Sequence, residues 1–136
     1  MVKNLDIILE PYPRGFHLIT SQIERALPEL PESGLVNFLL MHTSAALTLN
    51  ENADPTVRVD FESFISRHIP ENEPYFLHTL EGPDDMPAHI KSSIFGVTLS
   101  IPVRKGRLNL GTWQGIYLCE FRNHGGRRRI AVTIVG

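Results

Sequence analysis

The stretch VTLSIPV at residues 97–103 alternates apolar residues with small or polar ones, the pattern of a strand with one buried face. RKGR at 104–107 follows it and has the composition of a hairpin turn. Two further strands are predicted at 116–121 (IYLCEF) and 129–135 (RIAVTIV), separated by a turn at 123–126 (NHGG). The last third of the chain is therefore predicted to be a β-meander.

Strands are also predicted in the first part of the chain, where short apolar runs end near proline or glycine. These strands cover Leu5–Leu9, Gly15–Ile19 and the apolar run Leu35–Met41, which we expect to be a buried strand. The segment 70–84 contains three prolines and a glycine and is predicted to be a long loop. Loops of this length inside compact domains are usually functional or disordered.

Three helices are predicted from capping and spacing signals. The first begins at a capping box formed by Ser21 and Glu24. The second begins at Asp54-Pro55, and the third begins near Asp85 and stops at Gly96. The residues expected to face the core are Phe61, Phe64 and Ile65 in the second helix and Ile90 and Ile94 in the third. The result is an α+β domain with a β-sandwich-like or strongly curled antiparallel sheet.

The size and composition of the chain fit one domain spanning residues 1–136, with 42% hydrophobic residues. Cys119 is the only cysteine, so no disulfide forms within the chain, and a reducing compartment is expected. No run approaches the roughly 20 apolar residues of a membrane span, and residues 1–6 do not resemble a signal peptide. We therefore expect a cytoplasmic protein that has no membrane partner.

The charge of the chain is small overall but unevenly distributed. The net charge of −2 argues against a nucleic-acid partner. Residues 104–136 carry seven basic residues and one acidic residue, a net +6, which leaves −8 for residues 1–103. This asymmetry has three alternative interpretations. The basic segment 104–136 contacts an acidic surface of a neighbouring subunit, it attracts a phosphate-bearing ligand, or its charges are solvated residues at strand edges. The last is the default interpretation, and it suits Arg127-Arg128-Arg129.

Asp85 and His89 are four residues apart and are expected to share one face of the third helix. A carboxylate and an imidazole on one face hold a divalent metal or act as an acid–base pair. The alternative is that Asp85 caps the helix and His89 is a surface histidine. Among the remaining histidines, His78 has the strongest claim because it lies in the long loop just before the acidic segment.

His42 follows the third predicted strand and begins a run of small hydroxyl residues. It is a candidate metal ligand or general base, or else a histidine bonded to the backbone at the margin of a sheet. Thr43 and Ser44 either donate to a phosphate or form a local turn. Glu51 is a second candidate carboxylate, because it has no structural role as simple as the helix cap of Asp54.

Glu120 and Arg122 lie two residues apart on a predicted strand and should point to one face. They are expected to form a salt bridge, or Glu120 orients Arg122 towards a phosphate. Phe121 then points to the core, and Cys119 is expected to be buried. Gln114 lies in a bend bracketed by glycines, where a ligand or another backbone comes close.

Four long motifs resemble, in this order along the chain, the YjbQ-type secondary thiamine-phosphate synthase family. They are HTSA at 42–45, NENADP at 50–55, EGPDDMPAHIKSS at 81–93 and GRLNLGTWQGI at 106–116. RGFHL at 14–18 and HGG at 124–126 extend the resemblance over nearly the whole chain. The family often has Glu-His-Arg where this chain has Glu120-Phe121-Arg122, so any role of that histidine is absent here.

The resemblance implies a YjbQ-like α+β fold, a homotrimer and one activity. That activity joins a thiazole phosphate to a pyrimidine diphosphate, giving thiamine phosphate and pyrophosphate. The word "secondary" in the family name implies a side activity of a protein with another main task. Such chemistry needs a divalent metal or cationic groups on the leaving pyrophosphate.

The motifs and the resemblance together give an expected site for a small phosphorylated metabolite. Catalytic roles are expected for His42, Glu51, His89 and Glu120. The residues expected to bind substrate or phosphate are Thr43, Ser44, Asn50, Lys91, Ser92, Gln114 and Arg122. A divalent metal, Zn²⁺, Mn²⁺ or Mg²⁺, is expected at Asp85, His89 and His42.

Two other functions fit the same residues. One is a metal-dependent hydrolase or lyase that acts on a small phosphorylated metabolite. The other is a trimer that binds a metabolite without catalysis. Composition and spacing do not separate these from the synthase, because the preference for the synthase rests on the resemblance.

Overall fold

The computed structural model describes residues 1–136 and contains three helices and eight strands in two antiparallel sheets. The helices are α1 (Thr20–Ala26), α2 (Pro55–His68) and α3 (Asp85–Phe95). The strands are β1 (Val2–Ile8), β2 (Gly15–Leu18), β3 (Ser33–Leu40), β4 (Ala45–Glu51), β5 (Thr98–Arg104), β6 (Arg107–Leu108), β7 (Gln114–Glu120) and β8 (Arg129–Val135). The predicted α+β fold with three helices is confirmed.

The strands divide between a five-stranded sheet, in the order β1-β8-β3-β5-β6, and a three-stranded sheet, in the order β2-β7-β4. The predicted β-meander is wrong, because β7 joins the small sheet and β8 returns to the large one between β1 and β3. All of β7 after Gln114 is buried, which suits a central strand covered on both faces. The predicted hairpin between β5 and β6 is confirmed, with positive φ at Lys105 and Gly106.

Two hydrophobic clusters lie on opposite faces of the small sheet. Ile116 and Leu118 of β7 point towards the large sheet and pack with the larger cluster. Tyr117 and Cys119 alternate with them and point towards α2 and α3. The molecule therefore has three layers: the large sheet, the small sheet and two helices. Cys119 is buried as predicted, and burial raises the pKa of its thiol, which makes the thiol unreactive.

The segment from 33 to 51 differs from its prediction in two ways. Val36, Phe38 and Leu40 of β3 are buried, but Leu35 and Leu39 are exposed, so only one face of this strand is covered. β4 was not predicted at all. Its sequence, Ala45–Glu51, is small and partly polar, and its place in the sheet comes from pairing along its whole length with β7, about 70 residues away.

The helix starts depend on their local chemistry. Asp54 caps α2 as predicted, and its Oδ1 accepts a hydrogen bond from the Thr56 amide at 2.9 Å. The predicted capping box of α1 is wrong, because the helix begins at Thr20 and no side chain caps it. The hydroxyl of Thr20 instead accepts a hydrogen bond from the amide of Ile116 at 2.8 Å, which attaches α1 to β7.

The buried faces of α2 and α3 also differ in part from prediction. Phe61 and Ile65 pack against the small sheet, but Phe64 is exposed. In α3 the buried face is formed by Asp85, Pro87, Ala88, Lys91 and Ser92, whereas Ile94 is exposed. The reason is that α3 packs against β4 along a face rich in polar residues, which apolar spacing does not reveal.

The outer face of the large sheet is uncovered and partly apolar. Leu35, Leu39 and Val135 are among its exposed residues. No helix combines the length and the apolar composition that crossing a membrane requires. The homotrimer implied by the resemblance stays a prediction.

Glu120 and Arg128 form a buried ion pair that joins the two sheets. Nε of Arg128 donates to Oε1 of Glu120 at 2.8 Å, and its Nη2 donates to Oε2 at 2.6 Å. Glu120 ends β7 and Arg128 immediately precedes β8. Their side chains are 0% and 5% exposed. Arg128 is therefore not a solvated edge charge, and Glu120 pairs with Arg128 instead of Arg122.

We expect Arg128→Met to lower the free energy of unfolding by about 3–5 kcal/mol, because Glu120 would remain buried without a partner. The matched control is Arg127→Met, which removes an exposed arginine 3.7 Å from Glu10 and should cost less than about 1 kcal/mol. Urea unfolding followed by circular dichroism measures both. Equal stabilities of the two variants would contradict the structural role of the pair.

Candidate metal centre

His78, Asp85 and His89 bring three metal-ligating atoms together at the start of α3. Nε2 of His78 lies 2.6 Å from Oδ2 of Asp85, and Nε2 of His89 lies 3.0 Å from the same oxygen. All three ligand atoms lie within 4.8 Å of one another. Asp85 and His89 share one helix face, as their spacing indicates. The third member of the cluster is His78 and not His42.

His78 reaches the cluster through the segment 69–84, which connects α2 to α3 and contains no helix or strand. His78 precedes Asp85 by seven positions, but the segment between them is neither helix nor strand, so no regular periodicity brings the two side chains together. The only signal in the sequence is a histidine in a long loop directly before an acidic pair. The fold of this segment makes the contact.

The ring of His89 is held from its other side by a backbone carbonyl. Nδ1 of His89 lies 2.8 Å from the oxygen of Thr43, and because a carbonyl only accepts, Nδ1 carries a proton. In a neutral ring, Nε2 would then direct a lone pair at the carboxylate oxygen of Asp85, 3.0 Å away. This contact is repulsive unless a second proton or a cation lies between the two atoms. Metal-binding histidines are oriented by partners of this kind.

Arg122 holds both aspartates at the start of α3. Its Nε donates to Oδ2 of Asp84 at 3.0 Å, and its Nη1 donates to Oδ1 of Asp85. Its Nη2 donates to the carbonyl of Glu81 at 2.9 Å. The guanidinium expected to bind phosphate is therefore occupied by the protein itself.

The charge of Asp85 is stabilised despite its burial. Burial alone would raise the pKa of Asp85, but the hydrogen bond from His78 and the charges of His89 and Arg122 lower it overall. Asp85 is thus a carboxylate. Arg122 occupies Oδ1, which leaves Oδ2 directed at the two histidines.

An open cleft of about 640 Å³ adjoins this cluster, and His42 lies in it. The residues lining the cleft are His42, Thr43, His89, Ser92, Ser93, Gly96 and Val97. Nε2 of His42 accepts a hydrogen bond from the amide of Arg129 at 2.8 Å. Burial, together with the charge of Arg128, lowers the pKa of His42, so its ring is neutral at neutral pH. His42 thus lies beside the cluster and is not one of its three members.

The hydroxyl residues of the expected phosphate site have different surroundings. Ser44 is buried, and its Oγ accepts a hydrogen bond from Nη2 of Arg128 at 3.0 Å. Ser92 is buried and donates to the carbonyl of Ala45 at 2.7 Å, which joins α3 to β4. Thr43 is exposed in the cleft. Of these three hydroxyl groups, only that of Thr43 is available to a ligand.

Three expected site residues lie at the far end of β4. Glu51 Oε2 accepts from the amide of Asp54 at 2.7 Å, and Asn50 Oδ1 accepts from the amide of Glu51 at 2.8 Å. Gln114 Oε1 accepts from the amide of Gly111 at 2.8 Å. A strand of seven residues separates them from the start of β4 by about 20 Å. The structure gives these side chains turn-stabilising contacts and does not bring them to the metal-ligating cluster.

Lys91, expected to bind phosphate, is buried. The residue is 1% exposed, it makes no hydrogen bond or ion pair, and Nζ lies 5.6 Å from the centre of the Phe121 ring. Burial, with the charge of Arg14, lowers the pKa of Lys91. Phe121 packs with Phe16 and Phe95, so its side chain points into the core as predicted.

The fold and the cluster together define a class of protein: a small two-sheet α+β domain with a candidate cation site at the start of a helix. The family model described as UPF0047 protein YjbQ-like matches residues 6–136. The chain belongs to this family.

Relatives and solved structures agree with this membership. UPF0047 protein YjbQ of Salmonella typhimurium (strain LT2) is 58% identical over 132 residues, which are 96% of this chain and 95% of the relative. A conserved hypothetical protein of Thermus thermophilus has a TM-score of 0.81 at 38% identity, covering 94% of this chain and 97% of the other. A hypothetical protein of Aeropyrum pernix has a TM-score of 0.84 at 28% identity, covering 98% of both chains. The predicted family and the YjbQ-like fold are confirmed, and the activity stays a prediction.

We expect Lys91→Met to be more stable than the wild type at neutral pH, because burial disfavours the charged form of Lys91 more than the carboxylates of Glu62, Glu71 and Asp84 favour it. Folding lowers the pKa of Lys91 below 10.5, so between the lowered pKa and 10.5 the unfolded chain binds a proton that the folded chain lacks. The free energy of unfolding of the wild type therefore rises with pH in that window, whereas that of Lys91→Met lacks this increase.

Urea unfolding at about pH 7 and about pH 10 measures both effects. Lys3→Met, which changes an exposed lysine on β1, is the control. A greater loss of stability at neutral pH in Lys91→Met than in Lys3→Met would contradict this account.

Proposed function

We propose that this protein is a metal-dependent enzyme whose divalent cation is held by His78, Asp85 and His89. The observation that carries the proposal is the convergence of both Nε2 atoms on Oδ2 of one carboxylate, all within 4.8 Å. Two nitrogens and one oxygen suit Zn²⁺, Mn²⁺ or Fe²⁺ better than Mg²⁺, which prefers oxygen ligands. Three protein ligands leave further positions for a substrate, as in catalytic metal sites.

The accessibility of the three side chains supports a reactive site. His78 and His89 are 42% and 32% exposed, whereas Asp85 is 2% exposed. A substrate would therefore approach the cation from the solvent-exposed side of the two histidines, while the buried carboxylate keeps its position. The adjoining cleft of about 640 Å³ has a size typical of small-molecule sites.

The reaction we propose follows the family resemblance. The bond from the pyrimidine methylene carbon to the diphosphate breaks, a bond from that carbon to the thiazole nitrogen forms, and pyrophosphate leaves. A bound divalent cation would neutralise the charge that develops on the leaving group. We propose this synthase reaction as a secondary activity of a protein whose main substrate is another small phosphorylated metabolite.

The chain's own residues have separate tasks in this proposal. Arg122 holds Asp85 in place through Oδ1. The carbonyl of Thr43 orients His89, and the hydroxyl of Thr43 lines the cleft. His42 also lines the cleft, as a neutral ring. Glu120 acts on the site from a distance through its ion pair with Arg128.

We also propose that the protein is a cytoplasmic homotrimer. The uncovered face of the large sheet supports self-association, because exposed apolar patches often mark interfaces. The uneven charge of the chain also supports self-association. Residues 104–136 carry a net charge of +6 and residues 1–103 a net charge of −8, so basic and acidic surfaces of neighbouring copies would attract each other. The lone buried Cys119 suits a reducing compartment.

Pyrophosphate release from the pyrimidine diphosphate, with and without thiazole phosphate, tests the proposed reaction. We expect release to require thiazole phosphate and a divalent cation. His78→Ala and His89→Ala should lose at least about 100-fold in rate, because metal stabilisation supplies several kcal/mol. His124→Ala, which removes an exposed histidine outside the cluster, is the matched control and should retain the wild-type rate.

Three outcomes would contradict this proposal: two would favour a function other than the synthase reaction, and one would argue against the metal centre. Pyrophosphate release without thiazole phosphate would favour a hydrolase or lyase. Tight binding of the substrates without turnover would favour a non-catalytic binding protein. Unchanged rates in both His78→Ala and His89→Ala would contradict the metal centre itself.

A further inference from the structure

The cleft beside the candidate metal centre has an unusual set of lining groups. Its seven lining residues include two histidines, one threonine and two serines and no acidic residue. His89 belongs to both the cleft and the metal-ligating cluster. A ligand in the cleft therefore meets polar side chains and lies next to one histidine of the proposed cation site.

The proton on His42 is fixed by its surroundings. A backbone amide only donates, so Nε2 of His42, which accepts from the amide of Arg129 at 2.8 Å, carries no hydrogen. A neutral ring has one proton, which must lie on Nδ1. Nδ1 makes no hydrogen bond within the chain, so the ring has a free N–H donor.

We propose that this cleft is an oxyanion subsite in which the Nδ1–H of His42 donates a hydrogen bond to a phosphate group of the ligand. The inference rests on the proposed metal centre, because the ligand would bridge the cleft and the cation. In this subsite the His42 ring binds the ligand and is neither a metal ligand nor a general base.

The surroundings of His42 favour an anion over a neutral or cationic ligand. Arg128 and Arg129 both act on His42 electrostatically, in the direction that disfavours a positive charge on its ring, and Glu120 acts in the opposite direction. Arg128 is compensated by its ion pair with Glu120, but Arg129 makes no ion pair and contributes an uncompensated positive charge. The hydroxyls of Thr43 and Ser93 add exposed donors.

The expected phosphate ligands outside the cleft are excluded by their contacts. Arg122 is occupied by Asp84 and Asp85, Ser44 is buried against Arg128, and Lys91 is buried over Phe121. The cleft thus brings the exposed hydroxyls of Thr43 and Ser93 and the ring of His42 together with His89. A phosphate-bearing metabolite would place its phosphate here and its reacting group at the cation.

Calorimetric titration with inorganic phosphate, on Mn²⁺-loaded and on metal-free protein, tests the subsite. We expect His42→Phe to weaken phosphate binding by about 10-fold or more, because it removes a hydrogen bond to a charged group. His42→Gln, which keeps an acceptor for Arg129 and a donor, should restore part of the affinity. His124→Phe is the matched control and should bind phosphate as the wild type does.

The affinity for Mn²⁺ in the same variants separates this inference from the metal centre. His42→Phe should bind Mn²⁺ as tightly as the wild type, which also shows that it is folded. If Mn²⁺ does not bind the wild type, the metal centre fails, and the phosphate titration of the metal-free protein still decides the subsite.

Nitrogen-15 NMR of the histidine rings gives a direct readout. It should show His42 protonated at Nδ1 alone, with a resonance that shifts when phosphate is added. Equal phosphate affinity in the wild type and His42→Phe, or no phosphate binding to either, would overturn the subsite.

Discussion

The buried pair of Glu120 and Arg128 holds the two sheets in register at the end where the candidate site lies. Two short hydrogen bonds neutralise both charges in an interior that would otherwise exclude them. The same guanidinium donates to the hydroxyl of Ser44, which ties the segment before β4 to the pair. Gly125 is required beside it, because an added Cβ there would lie 2.2 Å from Oε1 of Glu120. One ion pair thus fixes three chain segments that are distant in sequence.

The metal-ligating cluster depends on these segments. Arg122 lies two residues after Glu120, and its amide donates to Oε2 of Glu120. The guanidinium of Arg122 donates to Asp85 at the start of α3 and so orients that carboxylate. The carbonyl of Thr43, next to Ser44, sets the ring of His89. A buried charge pair that stabilises the fold therefore also preorganises a surface site, which is how rigid elements usually support ligand-binding side chains.

Local chemistry made part of this structure predictable. Signals within a few residues predict three features: the helix start at Asp54-Pro55, the hairpin at 104–107, and the shared face of Asp85 and His89. β4 and the position of β8 depend on pairing between distant segments. Arg128 looked like an edge charge because its partner Glu120 is brought to it only by the fold. His78 was recognisable as a candidate, but its contact with Asp85 depends on the path of a long loop.

Locating the cation in a crystal of the protein distinguishes the cluster of His78, Asp85 and His89 from every other candidate site. Crystals grown with Mn²⁺ or Zn²⁺ and measured on both sides of the metal absorption edge locate the ion by anomalous scattering. We predict one strong peak about 2.0–2.2 Å from Nε2 of His78, Nε2 of His89 and Oδ2 of Asp85. No peak there, or a peak at His42 or beside Glu51 at the far end of β4, would contradict it.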